Sequence, residues 1–439
     1  MPDDRKKLGP FLAVVVVAGT MIGSGVYLLP ASLGAVGSIS ILAWLIGAFG
    51  AGLIATVFAM LALASPETSG LFSYVRNGFG PCAGFVAAAL YWFSCVPGNV
   101  AVALAVTGYL SVFVPMVAKP PTLTIATIAV IWLLLGANAV GPKFVAKLQS
   151  WTALVGLAPV LFTAIAGWFW FHGATFAQSW NVSGDPALTV VPRTTVMVFW
   201  AFVGIEGAIL LAVRLRNPGR DVPIGTLGGL AVAAMIYIGA SAAIMGILPA
   251  AVLAKSAAPF ADAAAPALGA SVAGAVALCA MLKATGTLGG SLLFTVETAE
   301  CESCLGSLRE APPPQSAYRV SLTNIVLTGV VETLAVIVSV SPSLARQFTV
   351  VTNVAVVLTV MVYIGASLSL LRLSSALSAP QRTVARVVAV LAVLFGAWLI
   401  YASERDLLIW SVGAVVLALT GYVPVYLRTS RRAKLLAEA

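Results

Sequence analysis

Long apolar runs alternate with short polar stretches along this chain, and the charged residues stand between the runs instead of being threaded through them. A helix needs roughly 17–25 apolar residues to cross a bilayer. Twelve runs reach that length: Pro10–Leu33, Ile39–Ala64, Cys82–Val114, Leu123–Ala139, Leu148–Phe171, Thr195–Val213, Ile224–Leu248, Val272–Phe294, Ser321–Val340, Thr349–Leu371, Thr383–Ile400 and Leu407–Tyr426. The third exceeds what one crossing needs, so it is expected to tilt or to continue past the bilayer surface. The pattern predicts an all-α polytopic membrane protein with about twelve transmembrane helices.

Two of the runs are interrupted. In the first, Ala18-Gly-Thr-Met-Ile-Gly-Ser-Gly-Val-Tyr-Leu-Leu-Pro30 places Gly19, Gly23, Ser24 and Gly25 near the middle of the span. Lipid offers no partner to freed backbone groups, so a broken helix is tolerated only where it is buried in protein or lines a cavity. The sixth run carries Gly204, Glu206 and Gly207 within Phe199-Trp-Ala-Phe-Val-Gly-Ile-Glu-Gly-Ala208. The two breaks lie five helices apart, as expected of two five-helix repeats of opposite topology that each begin with a discontinuous helix. The expected organisation is a cytoplasmic tail over 1–9, a first repeat over 10–171 and an external loop over 172–193. A second repeat over 194–373, two appended helices over 374–427 and a basic cytoplasmic tail over 428–439 complete it.

Composition agrees with a bilayer as solvent: 60% of the residues are hydrophobic and 9% charged, against about a quarter charged in a soluble domain. With the N-terminus inside, eighteen Lys and Arg fall on cytoplasmic segments and five outside, with Lys283 left inside a helix. That bias places both termini in the cytoplasm and accounts for the net charge of +9 without nucleic acid. No cleavable signal peptide is expected, because the first run is too long and lacks a cleavage site. Cys301 and Cys304 form a lone C-x-x-C without a second pair, read as two incidental thiols. The only histidine, His172, lies in a predicted external loop, so neither a histidine metal centre nor a cofactor is expected. The connector Arg214-Leu-Arg-Asn-Pro-Gly-Arg-Asp-Val-Pro223 looks rigid, whereas Glu297–Arg319, with Pro312-Pro-Pro314, looks mobile.

The breaks themselves carry chemistry. An unwound Gly23-Ser24-Gly25 exposes N–H groups at the start of a half-helix, where the dipole favours a carboxylate. An unwound turn from Ala201 to Gly204 exposes carbonyls suited to an α-ammonium group. Glycines can instead serve close helix packing, and for Gly286, Gly289 and Gly290 that alternative is at least as good.

Four stretches together resemble a known family: the first break, Leu90-Tyr-Trp-Phe-Ser-Cys-Val-Pro-Gly-Asn99, Phe199-Trp-Ala-Phe-Val-Gly-Ile-Glu206, and Asn217-Pro-Gly-Arg-Asp-Val-Pro-Ile224. They are similar to the amino acid–polyamine–organocation superfamily, and within it to the bacterial basic amino acid/polyamine antiporters of the arginine–agmatine type. The resemblance implies a LeuT-like fold in the bacterial inner membrane and alternating access. It implies a cradle of Thr20, Met21, Ile22, Gly23, Ser24 and Gly25 in helix one with Trp200, Ala201, Phe202, Gly204 and Ile205 in helix six. Trp200 would stack over the substrate and close its outer side. Tyr91, Cys95 and Asn99 would face the substrate's distal end, although an interhelical hydrogen bond is an equal alternative for Asn99. Glu206 would act at an inner gate with Tyr363, while intramembrane Glu332 receives no role.

This chain departs from the arginine–agmatine pattern at three positions. A helix-eight tryptophan is Ser291 here, which removes a cation–π partner of roughly 0.5–2 kcal/mol. A helix-one asparagine is Thr20, and a helix-ten serine is Ala355. A smaller or differently shaped substrate is therefore expected. Lys283, in mid-helix eight, must face the bundle interior or a wet cavity. It either stands in for the sodium ion of sodium-coupled relatives, as a fixed charge or proton carrier, or favours an anionic substrate group. The expected function is a sodium-independent exchanger of an amino acid for a related amino acid or amine. The alternative is a proton-coupled symporter or exporter that uses Lys283. A membrane enzyme would need a nucleophile with a base, paired carboxylates or a metal cluster, and the sequence shows none. The expected partners are the small-molecule substrate and the lipid bilayer, with a homodimer allowed by the resemblance.

Overall fold

The computed structural model describes residues 9–23, 25–65, 68, 70–207, 215, 217–304 and 321–437. Ser24 of the first break, Arg214 and Arg216 of the basic connector, and the Pro312–Pro314 run lie outside the described residues. Among the described residues every regular element is helical. Eleven of the twelve expected runs are largely helical; of the sixth, only the part up to Phe202 is, and 208–214 lie outside the described residues. Among the described residues nine helices are long and apolar enough to cross a bilayer, or ten if the bent pair α1 (Pro10–Met21) and α2 (Gly25–Gly34) is one span. The sixth and ninth runs appear as shorter apolar helices, Ala187–Phe202 and Leu322–Val338.

Segments two to five are α3 (Ser40–Ala64), α5 (Pro81–Leu110), α6 (Thr122–Val140) and α7 (Pro142–Ala166), with a short α4 (Leu71–Phe79) before α5. After α8 (Gly173–Gln178) come α9 (Ala187–Phe199), which is segment six, and α10 (Pro218–Ile247), which is segment seven. Two small helices, α11 (Ala250–Leu253) and α12 (Pro259–Leu268), precede α13 (Ala270–Cys304), segment eight. Segments nine to twelve are α14 (Leu322–Val338), α15 (Leu344–Leu373), α16 (Ala379–Ala402) and α17 (Arg405–Ala437).

The ends depart from the hydropathy estimate where local chemistry overrides it. α7 starts at Pro142, which needs no N–H partner at a first helical position, and Gly141 with φ of 138° turns the chain into it. Lys147, expected in a loop, is therefore within the helix. α13 runs through Glu297 to Cys304, so the expected loop begins later. At about 1.5 Å per residue, the 30-residue α5 spans about 45 Å and outruns a hydrocarbon core of about 30 Å. The four small helices went unseen because they are too short to form apolar runs; α4 buries only Leu71, Tyr74 and Val75.

The crossing segments pack in pairs that repeat with an offset of five. α5 packs on α15 and α7 on α13, which are segments three with ten and five with eight. α1 packs on α10 and α9 on α3, which are one with seven and six with two. Segments three with eight, two with seven and four with nine also meet, each pair mapping onto itself. Between apolar helices in lipid, contact is driven by close van der Waals fit, which small residues permit. Along α10, Cβ atoms added to Gly225, Gly228 and Gly229 would fall 2.7–2.8 Å from Ala13, Val14 and Val17 of α1. That seam holds the first half-helix against segment seven and fixes where its break lies.

Candidate functional site

The break in segment one is sharp. α1 and α2 meet at 52°, and the chain leaves the helix at Ile22, whose ψ is 69°. Ile22 N–H still donates to Ala18 carbonyl at 2.8 Å, while Gly23 N–H folds back onto Met21 carbonyl at 2.6 Å. The Tyr237 hydroxyl of α10 donates to that same Met21 carbonyl, so the interrupted ladder is satisfied from a neighbouring helix. At the start of α2 the first N–H groups have no intrahelical partner. In segment six, α9 tightens into a 3-10 turn at Trp200–Phe202, and Val203 is extended. Gly204 has φ of 106°, a left-handed value that a side chain would strain. Val203 N–H donates to Trp200 carbonyl and Gly207 N–H to Gly204 carbonyl, so tight turns replace the α-helical ladder from Trp200 to Gly207.

Between the two breaks lies a cavity of about 220 Å³. Thr20, Met21, Gly23 and Gly25 line it from segment one, and Trp200, Ala201 and Val203 from segment six. Segment three adds Tyr91, Ser94, Cys95, Gly98 and Val102, segment eight adds Thr287, Ser291 and Phe294, and segment ten adds Thr359. The Trp200 indole is seated between two glycines. A Cβ on Gly25 would lie 2.9 Å from its Cδ1, and one on Gly98 3.1 Å from its Cη2. Its Nε1–H is buried with no acceptor among the described residues.

Below Trp200 in the chain, Glu206 is buried and clamped by two phenols. Tyr91 of α5 donates to Oε1 and Tyr363 of α15 donates to Oε2. Tyr91 is held edge-on by Phe72 of α4 and Phe294 of α13, and Tyr363 by Phe58 of α3. One carboxyl thus ties segment six to segments three and ten.

Of the residues singled out from sequence, Thr20, Met21, Gly23, Gly25, Tyr91, Cys95, Trp200, Ala201 and Ser291 are brought together on this cavity. Ile22, Asn99, Phe202, Gly204, Ile205 and Ala355 are not on its wall. Ile22, Ile205 and Ala355 are buried in the core. Phe202 turns away to pack edge-on against Trp44 and Tyr237. Spacing could have found some of the missed wall. Gly98 and Val102 follow Tyr91 and Cys95 at helical intervals, and Thr287, Ser291 and Phe294 do so in segment eight.

The amino acid permease family model matches residues 8–423. The chain belongs to that family. The cadaverine/lysine antiporter of Escherichia coli K12 is 38% identical over 267 residues, 61% of this chain and 60% of that antiporter's length. The putrescine transporter PotE of Escherichia coli K12 is 30% identical over 417 residues, 93% of each chain. PotE of Haemophilus influenzae is 31% identical over 423 residues, 95% of this chain and 96% of that one.

Two further buried groups lie among the helices around the cavity. Asn99 stands behind the cavity wall, fully buried, where it bonds Ser291, Thr295 and Glu332. The interhelical alternative for Asn99 is therefore the one its contacts realise. Glu332 belongs to this interior network and not to a lipid-facing surface. Lys283 is buried too, and its stem crosses Gly156 of α7 so closely that a Cβ there would overlap it. The Tyr27 hydroxyl of α2 donates to the Gly156 carbonyl, so Lys283 sits where segments one, five and eight converge. No carboxylate lies within ion-pair distance of it among the described residues. Two of the three helix-eight glycines serve packing: a Cβ on Gly286 or Gly290 would overlap Thr152 or Gln149 of α7, whereas one on Gly289 would meet nothing closer than 3.6 Å.

Proposed function

We propose that the permease is a sodium-independent secondary transporter that exchanges an amino acid for a related amino acid or amine by alternating access. The observation that carries this reading is a cavity walled by both helix breaks. Free N–H groups at the start of α2 suit a carboxylate, and backbone freed in the segment-six turn suits an ammonium group. Cadaverine, lysine and putrescine, the substrates named for its relatives, share a primary ammonium on an aliphatic chain. That shape fits a cavity whose wall alternates Trp200, Val102 and Phe294 with small polar groups.

In this reading both termini are cytoplasmic, Trp200 closes the outer side and the Glu206 clamp the inner side. The offset-of-five packing supports two five-helix repeats over 10–171 and 194–373 related by a pseudo-two-fold axis. Lys283 supplies a fixed charge at the junction of segments one, five and eight, in place of a sodium ion. Its absence from the cavity wall argues against contact with an anionic substrate group.

Proteoliposomes test the reading. Uptake of labelled L-lysine should require internal L-lysine or cadaverine and be unchanged when sodium is replaced by choline. Uptake into empty vesicles driven by a pH gradient would overturn exchange in favour of proton coupling.

A further inference from the structure

We propose that Glu332 makes the cavity selective for a cationic distal group on the substrate, acting through Asn99 and Ser291. This deepens the exchange reading and rests on it. Glu332, in α14, is fully buried. Asn99 Nδ2 donates to its Oε1 at 2.7 Å, while Oε2 has no partner among the described residues. Leaving a carboxyl oxygen unpaired in the interior is costly, and no Lys or Arg lies within ion-pair distance among the described residues. The carboxyl is under-satisfied where it stands, and its hydrogen bonds lead toward the cavity.

The chain of donors has one direction. Asn99 gives its amide hydrogens to Glu332 Oε1 and, at 2.9 Å, to Thr295 Oγ1. Its Oδ1 accepts from the Ser291 hydroxyl. These partners fix which way the amide points, since Nδ2 is the donor and Oδ1 the acceptor. Ser291 lines the cavity, and its only proton is committed to Asn99. It therefore faces the substrate with lone pairs alone and can accept but not donate. A substrate ammonium that donates to Ser291 Oγ would extend the series ammonium, Ser291, Asn99, Glu332, in which every bond polarises the next the same way. The far end is a carboxyl able to supply a negative charge, and the near end would be a cation. A neutral aliphatic end gains nothing from this arrangement, and a carboxylate end would be repelled. A serine in place of a tryptophan thus exchanges one means of holding a cation for another.

The test is competition against labelled L-lysine bound to the purified permease, using cadaverine and L-norleucine, which lacks the distal ammonium. Glu332→Gln keeps the side-chain volume and the acceptor for Asn99 but removes the ability to ionise. Ser291→Ala breaks the chain at the cavity without touching the buried carboxyl, and so carries the test if Glu332→Gln does not fold. In either variant, affinity for lysine and cadaverine should fall roughly tenfold, as expected for losing a charge interaction across a low-dielectric interior. Affinity for norleucine should change less than about twofold. An unchanged preference for lysine over norleucine overturns the role of Glu332, and so does an equal loss for all three ligands, which would mark a packing role. Wild-type protein that binds none of the amines would defeat the exchange reading itself; wild-type binding with unaffected variants would defeat only the role of Glu332.

Discussion

The smallest change that should disable the site is Gly25→Ala. A methyl at Gly25 would lie 2.9 Å from Trp200 Cδ1 and 3.3 Å from Cε2, with Nε1 nearer still. The indole has little room to retreat, because its far edge lies close against Gly98, where even an added Cβ would be only 3.1 Å from Cη2. Overpacking a fitted site costs about 1–3 kcal/mol, and a ring held on both sides belongs near the top of that range. If Trp200 must be in place to enclose the substrate, about 2–3 kcal/mol lowers affinity roughly 30- to 150-fold. The assay is equilibrium binding of labelled L-lysine to purified protein, with gel filtration and thermal unfolding as controls for folding. Gly98→Ala should cost less, because there the ring edge needs to yield only a few tenths of an ångström. Wild-type affinity in Gly25→Ala, or a larger loss in Gly98→Ala, would refute the placement of Trp200 as the closing residue.

Other substitutions probe the remaining contacts. Tyr91→Phe and Tyr363→Phe each strip one donor from the buried Glu206 carboxyl, and a hydrogen bond to a charged group contributes about 1.5–3 kcal/mol. Each should slow lysine exchange in proteoliposomes at least tenfold, and the double variant should fall short of the sum because the pair shares one carboxyl; unchanged exchange would remove the clamp from the transport cycle. Gly156→Ala would drive a methyl into the Lys283 stem, so a thermal unfolding midpoint equal to wild type would contradict that close approach. Ala355→Ser, at a position off the cavity wall, should leave the lysine dissociation constant within about threefold; a larger shift would return Ala355 to the site.

What could be read from the sequence follows from which forces leave a local signature. Apolar runs and glycine interruptions are properties of consecutive residues, so the all-helical polytopic fold, the break at Gly23–Gly25 and the turn after Trp200 are legible in the sequence. The partnership of Glu206 with Tyr363 was also anticipated, from family resemblance. For the second phenol, Tyr91, the resemblance implies the substrate's distal end, and the structure has it on both the cavity and the carboxyl. Asn99 shows why spacing alone misleads. It follows Cys95 by one helical turn, yet the small further rotation carries it past the wall to Ser291, Thr295 and Glu332. A lone intramembrane glutamate signals that a partner exists but not where, because that partner is 233 residues away in the chain.

The packing pairs also indicate which contacts must break for the cavity to change sides. Segments one, two, six and seven pack on one another through α1 with α10, α3 with α9 and α3 with α10. Segments three, five, eight and ten are joined through α5 with α13, α5 with α15 and α7 with α13. Both closures bridge the two groups. Trp200 of segment six lies against Gly98 of segment three, and Glu206 of segment six is held by Tyr91 and Tyr363 of segments three and ten. If the groups move as bodies, each closure is a small set of side-chain contacts at one end of the cavity, and the two can open separately because, although both join segments six and three, they have no side-chain contact in common. Weakening one should then shift the resting equilibrium toward opening at that end without disturbing the seams within each group. Cysteine labelling beside Tyr363 should become faster in Tyr91→Phe, while labelling beside Gly98 should not. Equal acceleration at both ends would mean that the closures are one unit, and that the division into two groups is not how the cavity opens.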